Sequence, residues 1–263
     1  MEIFKLLYAN KLRLKRGKLL WIGLGVSLGY NILLLVMNYI ELVNHIGNSI
    51  VAINWYLLSS FSTVGYFCPV FCSFFIGTDY SEGTVRNKVI AGHTRNNIYL
   101  ANFITASAVN LFWVVVTTAV TAVLGTLLFG WHMVYPLQFL LQYFSGLLAI
   151  IALAGLFTLP AMLIHNHVIS TVCSILLFFV LYSVETSVQR ILFARSVGKA
   201  SMVTTGLLSQ TVLEFVYDFI PVGQVIQVMD KILHPVRAPV FSLVFTAVSV
   251  LFGIAVFRKK DLN

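Results

Sequence analysis

Charge is what this sequence has least of. Its 17 lysines and arginines and 9 acids make up 10% of 263 residues, against about 25% in a soluble domain. That is too little polar surface to coat a globule of this size, which excludes a water-soluble protein. Cysteine is also sparse: Cys68, Cys72 and Cys173 all lie in apolar runs. Cys68 and Cys72 share a helical face, but no further ligands complete a metal or redox site, so all three read as small buried hydrophobes. The loop G-x-x-x-x-G-K-[ST], which cradles nucleotide phosphates, does not occur. No acid lies deep in an apolar run, which argues against proton or ion coupling, since such pumps need intramembrane ionisable groups. His165 and His167 form H-x-H with no acid or cysteine nearby in sequence, which reads as a polar turn rather than a metal site. No paired catalytic residues stand out. There is also no internal repeat, low-complexity tract or soluble domain, so the chain reads as one domain over 1–263.

What the sequence has instead is apolar length. It is 59% hydrophobic and 14% aromatic, and several windows exceed the roughly 18 apolar residues that cross a bilayer. The expected fold is an all-α membrane protein with six spans, at 19–40, 55–77, 97–129, 137–164, 168–184 and 240–257. Pro69 is expected to kink the second span. The third is longer than a bilayer needs, so it must tilt or protrude. Glu185 is placed at the end of span five, as an interfacial charge.

The formal net charge is +8. The basic residues flank apolar spans, so the excess reads as membrane orientation rather than nucleic-acid binding. Lys5, Lys11, Arg13, Lys15, Arg16 and Lys18 precede span one; Arg86, Lys88 and Arg95 follow span two; Arg258, Lys259 and Lys260 follow span six. The remaining five fall in the long segment 185–239. This placement predicts both termini in the cytoplasm, with 185–239 outside. The start "KLLYANKLRLKRGK" leads into a run too long for a cleaved signal.

Three segments are not plain spans. In residues 1–18, Ile3, Leu7 and Leu14 recur at helical spacing, as do Phe4 and Tyr8, with basic residues between. This predicts an interfacial helix, apolar side down and basic side toward lipid phosphates. Segment 185–239 predicts one or two amphipathic or re-entrant helices, broken at Pro221-Val-Gly223. The third segment is the charged island "TDYSEGTVRNKVIAGHTR". Asp79 and Glu82 have capping-box spacing, Val85 and Val89 form an apolar stripe, Gly92 marks a stop and Thr94 can cap the next span. The expectation is a self-capped helix of about three turns along the membrane face; a solvated turn is the alternative.

On these parts the chain resembles the permease subunits of ABC-2 type transporters. The resemblance is carried by Glu82, Gly83, Thr84, Arg86, Gly92 and Arg95 after span two, by the basic N-terminal helix, and by the ending "FRKKDL". Within that family it looks most like small permeases of bacitracin and lantibiotic self-protection exporters. The resemblance implies that the island is a coupling helix seated in a separate ATPase subunit, with Asp79, Glu82, Thr84, Arg86, Lys88 and Arg95 as coupling residues. It also implies a second permease subunit, the same or homologous, membrane lipid as surroundings, and a bacterial plasma membrane. ATP and magnesium would belong to the partner, and the chain itself would hold no cofactor. Ser59, Ser62, Thr63 and Tyr66 fall on one face of span two, as a substrate path for an amphiphile or as small residues for close packing. A non-transporting sensor or scaffold is the rival reading.

Overall fold

The computed structural model describes residues 2–46, 52–196, 210–229 and 236–260. The expected ending at Leu262 and parts of segment 185–239 lie outside them. The helices are α1 (Glu2–Arg16), α2 (Leu19–Glu41), α3 (Asn54–Ser81), α4 (Thr84–Ile90), α5 (Arg95–Phe129), α6 (Pro136–Leu163), α7 (His167–Ser196), α8 (Gln210–Phe219), α9 (Pro221–Gln227) and α10 (Arg237–Lys259). A π-helical turn, Leu42–Ile46, prolongs α2. Among the described residues, six helices, α2, α3, α5, α6, α7 and α10, are long and apolar enough to cross a membrane. The chain is an all-α, six-span, multi-pass membrane protein.

α3 and α6 form the centre. Their Phe61, Ile76, Ile150 and Phe157 are fully buried, whereas α2, α7 and α10 turn residues such as Trp21, Val180 and Leu251 outward. That distribution suits lipid as the outer solvent, since lipid-facing side chains need not be polar. α3 runs through Pro69 to Ser81 as one helix. The 35 residues of α5 extend about 52 Å at 1.5 Å each, against a hydrocarbon core of about 30 Å.

Four expectations change. α1 packs Ile3, Leu6, Leu7 and Leu14 on the core, but Phe4 and Tyr8 lie on the opposite, exposed side. α7 does not stop at Val184; it continues to Ser196 because Val188, Ile191 and Leu192 pack on Leu213 and Tyr217 of α8. Glu185 is therefore inside a helix rather than at its end, and it is fully buried. Cys68 and Cys72 are buried with sulfurs 3.8 Å apart, but Cys173 is exposed.

Among the described residues, segment 185–239 contains two short helices, α8 and α9. They part at Ile220, one residue before the expected break. Its extended backbone is the conformation that a following proline favours, and Pro221 then opens α9. α9 is not a surface helix: its Val222 and Val225, with Val228 just after it, join the main core. Gln224 Nε2 donates to the Asp218 carbonyl at 2.6 Å, and the Ser242 hydroxyl donates to Gln224 Oε1 at 2.6 Å. These bonds tie α8, α9 and α10 together.

Candidate functional site

At one end of the bundle, α1, the last turn of α3 and α4 meet around Asp79. The expected capping box does not form, because α3 carries on through Asp79 to Ser81. Asp79 is therefore a helix residue, and it is 1% exposed. Arg13 of α1 pairs with one carboxylate oxygen, and Lys88 of α4 places Nζ 2.8 Å from the other. The Thr84 hydroxyl donates to Asp79 Oδ1 at 2.8 Å. Among the described residues, both ion pairs end on Asp79. One carboxylate thus joins three helices, and the anion is compensated from several directions, as a buried charge requires.

Arg13 also donates to the Phe75 carbonyl at 2.8 Å and lies 3.7 Å above the Phe75 ring. Burial lowers the Arg13 guanidinium to about 10, partly offset by the charge of Glu82. Burial lowers Lys88 to about 8, and repulsion from Arg13 adds to it.

α4 spans only seven residues, about two turns rather than three. Gly83 enters it at φ 66 and Gly92 leaves it at φ 90, a region open to glycine at no steric cost. The C-terminal stop forms as expected. The Gly92 amide donates to the Val89 carbonyl at 3.0 Å and the His93 amide to the Lys88 carbonyl at 3.1 Å, a Schellman pair. Thr94 caps α5, accepting from the Asn97 amide at 3.3 Å.

The six expected coupling residues divide. Asp79, Thr84 and Lys88 face inward and hold the joint. Arg95 also turns inward, where its Nη1 donates to the carbonyls of Arg258 at 2.8 Å and Lys260 at 2.5 Å at the end of α10. That is a favourable place for a cation. Glu82 and Arg86 are exposed. With them on the outer face stand Asn87 and Ile90, the latter 73% exposed. The sequence reading missed Ile90. Its spacing was informative: Gly83, Arg86, Asn87 and Ile90 recur at i, i+3, i+4 and i+7, opposite Val85 and Val89. The nearby Tyr80 hydroxyl donates to the Met162 carbonyl at 2.7 Å, and Lys260 lies 4.1 Å over the Tyr80 ring. Burial lowers Lys260 as well.

The four residues of α3 expected to line a path also divide. Ser59 donates to Asn31 Oδ1 at 2.9 Å, and Asn31 Nδ2 donates to Thr63 Oγ1 at 3.2 Å. That pair is buried packing between α2 and α3. Ser62 instead donates to Met229 Sδ at 2.9 Å, and the hydroxyl of the exposed Tyr66 lies 3.5 Å from that of Tyr182. Only Ser62 and Tyr66 share the side that faces α7 and the end of α9.

A second feature that the sequence reading passed over lies where α7 meets α9. Neither Glu185 carboxylate oxygen has a hydrogen-bond partner among the described residues. The carboxylate rests against Gly223 of α9, where a Cβ would strike it. Glu185 is thus a buried acid within the long helix α7. His165 and His167 sit beside Tyr80 and Phe74 respectively, and among the described residues no three His, Cys, Asp or Glu side chains come together.

No protein-family model matches this chain, and no curated protein matches it either. The class that fold and site define is a six-span helical membrane protein with a short, bolted helix at one end of the bundle.

Proposed function

We propose that the chain is the permease subunit of an ATP-driven exporter of the ABC-2 type, which moves a hydrophobic or amphiphilic compound, such as an antimicrobial peptide. α4 would lie at the cytoplasmic face and seat in a separate ATPase subunit. ATP and magnesium would be bound by that partner, and a second permease subunit would complete the path.

One observation carries this reading. α4 shows Arg86, Asn87 and Ile90 to the outside, with Glu82 exposed in the turn before it, while its inner face is fixed through Asp79 to α1 and α3. A rod held in this way passes a push on its outer face directly to the span it follows. A mixed charged and apolar outer face suits a protein partner, with charges setting partner choice and Ile90 giving desolvated contact.

The test is co-purification with the ATPase encoded beside the gene. Arg86→Glu with Ile90→Glu should abolish capture while leaving thermal stability intact; undiminished capture would overturn the reading. Lys88→Glu is unsuited to this purpose because it breaks the internal joint. Ligand-stimulated ATP hydrolysis by the reconstituted complex separates a pump from a scaffold.

A further inference from the structure

Between α1 and α5 lies a cleft of about 260 Å³. Leu7, Lys11 and Leu14 line it from α1 at i, i+4 and i+7, with Leu20 from α2 and Val109 and Phe112 from α5. Lys11 is the one charged residue in the lining. Phe112 is 44% exposed, so the cleft opens sideways, away from the bundle.

Its level in the membrane follows from the chain. Lys18 directly precedes Leu19, where α2 begins, so Leu20 marks the step from basic to apolar sequence. Leu20 lines the same cleft as Ile104, Val109 and Phe112, so these residues of α5 lie near that step, and α5, longer than a hydrocarbon core of about 30 Å, can extend beyond it. Lys11, Lys15 and Lys18 are exposed there, and none of them forms an ion pair among the described residues.

We propose that this cleft binds one anionic diacyl phospholipid. An acyl chain lies along Leu7, Leu14, Val109 and Phe112, and the phosphate rests on Lys11, the one basic residue of the lining. Apolar walls at this depth select a lipid chain over water, and an unpaired lysine at the rim selects a negative headgroup. The site requires only that the bundle lie in a membrane. It also has a consequence for the joint: Arg13, which clamps Asp79, sits between Lys11 and Leu14 on the same helix, so a lipid in the cleft steadies that clamp.

Native mass spectrometry of the full chain, released from nanodiscs, tests the site. With phosphatidylglycerol and phosphatidylcholine of identical chains, one phosphatidylglycerol should be retained about fivefold over phosphatidylcholine, the factor for one basic residue near an anionic headgroup. Lys11→Gln should bring that ratio to about one. Ala108→Trp, at an exposed lining position, should fill the cleft and remove the retained lipid of both kinds. Lys5→Gln, exposed on α1 outside the cleft, should change nothing. Equal retention of the two lipids by the unaltered chain, or equal effects of Lys5→Gln and Lys11→Gln, would overturn the proposal. So would displacement of the lipid by glycerol phosphate, which would indicate a phosphate site without a chain pocket.

Discussion

Lys88 Nζ stands 2.8 Å from Asp79 Oδ2 while Arg13 holds the other carboxylate oxygen. Two cations therefore depend on one buried acid. Asp79→Asn should cost roughly 3 kcal/mol, because removing one partner strands the others. Thermal unfolding in detergent measures the loss. Arg86→Gln, on the exposed face, should leave the midpoint unchanged.

The same joint predicts a pH response. The Lys88 ammonium is disfavoured in the folded protein, with its value at about 8 rather than 10.5. The unfolded chain therefore binds more protons through that window, and stability should rise as pH goes from about 8 toward 10.5. Below that window both states are protonated and the penalty is constant. Lys88→Met should flatten the rise in a series of unfolding midpoints against pH.

Arg95 supplies the last carbonyls of α10 with a charged donor. Arg95→Gln should loosen that end by roughly 2 kcal/mol. Hydrogen exchange should speed up at the end of α10 and stay constant in the buried middle of α3.

Glu185 and Gly223 form a tight pair without a hydrogen bond. Gly223→Ala should destabilise by roughly 1–3 kcal/mol through overpacking. Glu185→Ala should relieve most of that loss in a double-mutant cycle. Glu185→Gln, which keeps the shape and removes an uncompensated buried acid, should not lower the unfolding midpoint.

Along α3, cysteine scanning should separate the two hydroxyl pairs. In a Cys173→Ser background, Tyr66→Cys should react with an apolar maleimide, while Ser59→Cys and Thr63→Cys, at buried positions, should not. Equal reactivity of all three positions would restore a single lining face.

The spans were legible because apolar length is a local property, and α2, α3, α5 and α6 begin and end within a few residues of where hydropathy places them. Gly92 and Thr94 were legible for the same reason: each acts on its own helix end. Asp79 was not. Its spacing from Glu82 imitates a cap, but Arg13 arrives from a distant part of the chain and the helix runs on. α7 was cut short because Glu185 interrupts an apolar run, and nothing local reveals that α8 and α9 will cover it. Arg95 looked like surface charge until the end of α10 came to meet it.

Because Arg13 anchors α1 to the same carboxylate that holds α4, the amphipathic N-terminal rod and the short helix share one hinge pin. Tyr8 rides on that rod with its ring in the open. A fluorophore substituted there would register displacement of α4 at a distance, without encumbering the surface on which a partner would sit.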